Sequence, residues 1–376
     1  MGSSERRAIP LFATWPALEP LISEVADRQR AVLGSGRYIL GPEVEAFEAE
    51  FAAYVGRRHC VGVASGTDAL TISLRSLGVG PGDEVVVPAY TFFATAEAVV
   101  NAGARPVFCD IDPRTHCMTA ATAEAAIGRR TRALLPVHLF GNPAPMDELI
   151  RLAAERGLAV VEDAAQAAGA RLGDRMAGSF GDVAAFSFYP SKNLGAFGDA
   201  GAIVTDRDEV AASARRLCDH GSERRWVHAE VGFNSRLDEL QAAALRVLLP
   251  HLDEWTERRR AVAIGYAEAG LGRLVTLPEA TPGAEPGYHL YVVRADDREG
   301  LREAMDGAGI QTRAYYTPPL HRQPAFQSIV DGRSFPRAER LADECLALPM
   351  GPALEGGEIE RVVAAVRGAT HATIRA

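Results

Sequence analysis

The chain has 376 residues, 47% of them hydrophobic and 24% charged, the balance of a folded globular protein with room for a large domain and a smaller one. A formal net charge of −9 argues against nucleic acid as a partner, yet leaves open a locally positive site for an anionic substrate. No apolar run reaches the roughly 18–20 residues that span a bilayer, and no apolar stretch follows the charged start. The expectation is therefore a cytoplasmic protein without membrane contact.

In chain order, continuous apolar runs at 59–63, 84–88, 105–109, 133–138, 158–162, 183–188 and 201–205 predict strands buried on both faces. Helical periodicity at 67–77, 91–102, 145–156 and 208–219 fills the gaps between them. This pattern predicts an α/β domain, a mainly parallel seven-stranded sheet flanked by helices, with ligands at the carboxyl ends of the strands. Two further helices are expected at 235–249 and 252–269, then a Gly/Pro-rich stretch at 278–287, a strand at 288–294 and a helix at 298–309. The predicted division is a large domain over 1–250 and a smaller C-terminal α/β domain over 251–376. Five cysteines are dispersed without CxxC pairing, which predicts neither a disulfide framework nor a metal site.

Of the 40 basic residues, Lys192 is the only lysine. Arginine can replace lysine in most surface roles but cannot form an imine with an aldehyde, because its guanidinium stays protonated. The count alone leaves a chance survivor on the surface equally open. The setting adds weight, since Lys192 follows a buried apolar run and is flanked by Ser187, Ser191 and Gly195. Asp163 ends another such run, where a carboxylate could hold a pyridinium N–H or merely cap the next helix. The small-residue turn Ser65-Gly66-Thr67 joins a strand to a helix and could cradle a phosphate or serve as an ordinary N-cap. The glycines at 78–82 precede their strand, the wrong order for a dinucleotide fingerprint, and predict a turn.

The ordered segments SGTDAL, PAYTFFATAEAV, EDAAQAAGA, FSFYPSKNLGAFGDAG and GFNSRLDELQAA resemble the DegT/StrS-type sugar-nucleotide aminotransferases, which have the aspartate aminotransferase fold. The likeness runs from about Gly36 to Met350. It implies pyridoxal 5'-phosphate as cofactor, with Lys192 as the Schiff-base lysine and proton shuttle and Asp163 on the pyridine nitrogen. It further implies Gln166 at the ring hydroxyl, Phe92 on the ring face, and Gly66, Thr67 and Ser187 at the phosphate. Asn234 would reach that phosphate from a neighbouring subunit, which implies a homodimer with shared active sites. The implied substrates are glutamate and a nucleotide-linked keto-deoxysugar, with dTDP, UDP or GDP as carrier, aminated at C3 or C4 for antibiotic or cell-surface glycans. Gln166 tilts the reading toward C3, because many C4-aminating relatives carry His there.

Candidate substrate contacts are Tyr189, Arg224, His228, Tyr316 and His321. The arginines near 224 suit a diphosphate, although a solvated loop fits the same residues. His138, at a predicted strand end, reads as a packed core histidine. Dehydratase relatives carry histidine where Lys192 stands, and a non-catalytic regulator would be expected to bring a DNA-binding module. Neither matches this chain.

Overall fold

The computed structural model describes residues 8–330 and 332–373. Seven strands form the central sheet: β1 (His59–Val63), β2 (Glu84–Pro88), β3 (Arg105–Cys109), β4 (Thr131–Leu134), β5 (Ala159–Asp163), β6 (Val183–Ser187) and β7 (Gly201–Thr205). Their order is β1-β7-β6-β5-β4-β2-β3, and every neighbouring pair is parallel except those of β7, which runs antiparallel to both β1 and β6. Nearly every residue of these strands is buried, as the unbroken apolar runs require of a sheet covered on both faces.

The strand expected at 133–138 is shorter and shifted, because Pro136 has no N–H to give the ladder. Its carbonyl still accepts from the Asp163 N–H at 2.9 Å, and the His138 N–H donates to the Asp163 carbonyl at 3.1 Å. The chain thus stays alongside β5 to its end.

Helices α1 (Pro42–Val55), α2 (Gly66–Ser76), α3 (Ala94–Asn101), α4 (Met146–Arg156) and α5 (Asp208–Cys218) cover the sheet. Helix α6 (Glu239–Leu248) starts four residues later than its periodicity suggests. Ser235 is committed elsewhere, and the Glu239 carboxylate accepts from the N–H groups of Gly41, Glu43 and Val44, capping α1 from outside.

Beyond α6, helices α7 (Leu252–Glu268), α8 (Arg298–Gly307) and α9 (Gly356–Thr373) pack with an antiparallel pair, β8 (Tyr291–Arg294) and β9 (Cys345–Leu348). The start of the described chain crosses to this layer. Ile9 bridges to Ile310 and Phe12 to Met350, and Ile9 and Ala13 share a core with Val262, Leu301 and Met305. No helix among the described residues is long and apolar enough to cross a membrane.

Candidate active site

The carboxyl ends of β5 and β6 and the amino end of α2 meet at a cavity of about 340 Å³. Its walls include Gly66, Thr67, Phe92, Asp163, Gln166, Ser187, Tyr189, Lys192 and Tyr316. Nine residues singled out from sequence are therefore brought together by the topology of the sheet.

Asp163, the last residue of β5, is only 5% exposed. Thr95 donates its hydroxyl to Oδ2 at 2.8 Å, and the Ala165 N–H donates to Oδ1 at 3.2 Å. Burial pushes the carboxyl above its ordinary range, while the Thr95 and Ala165 bonds and the charges of Lys192 and His138 pull it back. A ring N–H arriving in the cavity would add a further donor and favour ionisation.

Lys192 sits in a loop that doubles back after β6. The Phe188 N–H donates to the Ala200 carbonyl at 2.8 Å, and the Ala196 N–H to the Phe188 carbonyl at 2.7 Å. A Cβ on Gly195 would lie 2.6 Å from the Pro190 carbonyl oxygen, so a larger residue would force the loop open. Loss of solvation lowers the amine from an ordinary 10.5 to about 8, against the opposing charge of Asp163. Lost solvation thus makes the neutral, nucleophilic form of Lys192 easier to reach than in an exposed lysine.

At the start of α2, Ser65 caps the helix by accepting the Asp68 N–H at 3.1 Å. Gly66 lies so close to β6 that a Cβ there would meet the Ser187 Cβ at 2.6 Å. The small pair leaves a concave, N–H-rich wall suited to a phosphate. Gln166 is locked on both sides: Oε1 accepts the Phe140 N–H at 2.7 Å, and Nε2 donates to Tyr316 Oη at 2.9 Å. Phe92 and Tyr189 are about half exposed at the mouth, and the Phe92 ring centroid lies 5.6 Å from that of Tyr316. A desolvated amine, a buried carboxylate, aromatic rings in the wall and an N–H-rich helix start are groups of the polarity that pyridoxal phosphate requires.

Other expected contacts fall elsewhere. Arg224 and His228 lie on an exposed two-stranded ribbon away from the cavity, and Asn234 is exposed with Oδ1 bonded to Arg236. His321 is buried against Phe335 with Nε2 2.9 Å from Glu339 Oε1, so this single chain does not offer it to the cavity. His138 is the core residue expected: Nδ1 accepts the Ala144 N–H at 3.0 Å, and Nε2 lies 2.9 Å from the buried Glu162.

The sequence reading missed Thr95, Asp199, His289 and Tyr315, all but Thr95 in the cavity wall. Thr95 carries no local signal beyond its place in a helix. His289 and Tyr315 come from segments remote in sequence. Burial and the charges of Lys192 and Arg259 hold the His289 ring well below its ordinary pKa, hence neutral.

This sheet order with a desolvated lysine across from a strand-end aspartate defines a pyridoxal phosphate-dependent transferase. The chain belongs to the DegT/DnrJ/EryC1/StrS aminotransferase family, whose sequence model matches residues 21–367. It is 49% identical over 368 residues to the dTDP-3-amino-3,4,6-trideoxy-alpha-D-glucose transaminase of Streptomyces venezuelae, covering 97% of each chain. The crystal structure of S. venezuelae DesV superposes with a TM-score of 0.94 at 48% identity, over 97% of this chain and 99% of that one. NtdA of Bacillus subtilis, solved with bound cofactor PMP, superposes with a TM-score of 0.87 at 30% identity, over 98% of this chain and 87% of that one. The protein is a pyridoxal phosphate-dependent aminotransferase of nucleotide-linked keto-sugars.

Proposed function

We propose that the protein transfers the amino group of glutamate to C3 of a dTDP-linked keto-deoxysugar, as a cytoplasmic homodimer. The observation that carries this reading is the 49% identity, end to end, with a transaminase whose named product bears its amino group at C3. Gln166, where a histidine would favour C4, agrees with it.

The cofactor supplies the electron sink for proton removal. Lys192 Nζ, in the cavity wall, would take the proton from the amino donor's carbon and pass it on to the cofactor carbon. Asp163 would hold the ring-nitrogen proton, and Gln166 and Phe92 would contact the ring. Gly66, Thr67 and Ser187, which line the same cavity, would hold the phosphate. The chain divides near residue 250 into the cofactor-binding domain of 1–250 and a small domain of 251–376, to which residues 9–13 cross over.

The dimer rests on two features. Among the described residues, Lys192 is the only Lys or Arg lining the cavity. That leaves a nucleotide diphosphate and the carboxylates of glutamate short of cationic partners. Trp226 and Val231 are 82% and 86% exposed beside Arg224 and His228, an apolar and cationic surface that a second copy would cover and bring to the mouth of its neighbour's site.

Incubation with glutamate and a panel of dTDP- and UDP-linked 3-keto and 4-keto sugars, with NMR to locate the nitrogen, tests the assignment. A dTDP-sugar aminated at C3 is expected. A product aminated only at C4, or turnover confined to UDP-sugars, would refute it.

A further inference from the structure

Arg236 is hydrogen-bonded to the side-chain amide of Asn234. A guanidinium has donors and no acceptor, so the Asn234 atom bonded to it must be the carbonyl oxygen. Arg236 Nη2 donates to Asn234 Oδ1, while Nη1 pairs with Asp219 Oδ1. Asp219 and Asn234 are also backbone bridge partners, which closes a compact triangle. The following residue is pinned as well. Ser235, 1% exposed, donates its hydroxyl to Asp68 Oδ2 at 2.7 Å and accepts the Ala64 N–H at 3.1 Å. The backbone at Asn234 is thus tied to the amino end of α2, and its side chain to Arg236.

With Oδ1 engaged, the exposed part of the amide is Nδ2 with its two protons. The flipped rotamer would turn the carbonyl outward and repel an anion. We propose that Arg236, held by Asp219, is a positioning residue that locks Asn234 as a hydrogen-bond donor toward the cofactor phosphate. This rests on the reading of Asn234 as a phosphate contact. Arg236 acts through Asn234, so removing both should cost no more than removing Asn234.

The test titrates the apo-protein with pyridoxal phosphate, following tryptophan fluorescence and the ³¹P shift of the bound cofactor. It uses the wild type, Asn234→Ala, Arg236→Met, Arg236→Lys and the double variant Asn234→Ala/Arg236→Met. Each of Asn234→Ala and Arg236→Met should weaken cofactor binding about tenfold, the scale of one hydrogen bond to a charged group. The double variant should be no weaker than Asn234→Ala, and Arg236→Lys should recover part of the loss. Losses that multiply in the double variant would mean that Arg236 meets the phosphate directly or only supports the fold, and the proposal would fail. Full affinity in Arg236→Met beside weak binding in Asn234→Ala would sink the positioning role alone. Full affinity in Asn234→Ala would remove both that role and the phosphate reading of Asn234. Should Arg236→Met not fold, Asp219→Asn releases the same guanidinium and is expected to weaken binding in Asn234 protein but not in the Asn234→Ala background; equal weakening in both would overturn the proposal.

Discussion

Thr95 reaches from α3 to donate its hydroxyl to Asp163 Oδ2 at 2.8 Å, and this is the foremost of the interactions that hold the buried carboxyl down. Thr95→Val keeps the shape and removes the donor, so the carboxyl must rise further. Asp163 is useful to a pyridinium only when ionised, and a raised pKa empties that form from the acid side. Turnover at neutral pH should fall about tenfold, the worth of a hydrogen bond to a charged group. The deficit should narrow as pH rises, and Thr95→Ser should restore activity. A pH–rate profile decides the matter: a loss that stays constant from about pH 6 to 9 would make Thr95 a packing residue only.

Lys192 offers an unusually clean titration because no other lysine competes. Its amine is lowered from 10.5 to about 8, chiefly by lost solvation. The neutral amine is the nucleophile, so capture of an amine-reactive probe by the apo-protein should be slow below about pH 8 and level off above it. An ordinary lysine would keep accelerating toward 10.5. The charge of Asp163 is what holds the amine up, so Asp163→Asn should move the midpoint lower still. Peptide mapping separates Lys192 from the terminal amine. A midpoint near 10 would mean that the loop after β6 leaves the lysine solvated.

Much of this site was legible in the sequence, for identifiable reasons. Strands buried on both faces leave unbroken apolar runs, so β1, β2, β3 and β7 match their expected bounds, and the acid and amine at strand ends are visible as breaks in those runs. The expected run at 133–138 went wrong because Pro136 is apolar to the eye but lacks the donor that a strand needs. The start of α6 was hidden because Ser235 spends its hydroxyl on Asp68, a contact between residues far apart in sequence. The same distance conceals His289 and Tyr315. His321 shows the converse limit, since a histidine between Leu320 and Arg322 gives no sign that the distant Glu339 will claim it.

Reduction with borohydride should fix the cofactor on Lys192, and Lys192→Arg should abolish transamination while leaving the fold intact, because a guanidinium cannot make the imine. Asp163→Asn should keep the fold and part of the cofactor affinity but lose most turnover, since a neutral amide cannot hold the ring nitrogen protonated. Near-full activity in Asp163→Asn, measured with saturating cofactor, would show that this acid only caps the turn after β5.

The placement of Asn234 leads to the last expectation. Its amide is exposed and lies outside the cavity wall of its own chain, while the phosphate cradle at Gly66 and Thr67 supplies only some of the donors that a doubly charged phosphate needs. If a second chain supplies the rest, the lesions Lys192→Ala and Asn234→Asp fall on different sites when placed on different chains. Each variant alone is expected to be inactive, the first for want of the amine and the second because a carboxylate repels the phosphate. In a mixed dimer one site would carry both lesions and the other neither. Subunit exchange between the two inactive proteins should therefore restore up to about half the activity of a wild-type dimer for every mixed dimer formed. Differently tagged chains allow the mixed species to be isolated and counted. Isolated mixed dimers that stay inactive would place Asn234 and Lys192 in the same chain's site, and the arrangement with shared sites would have to be abandoned.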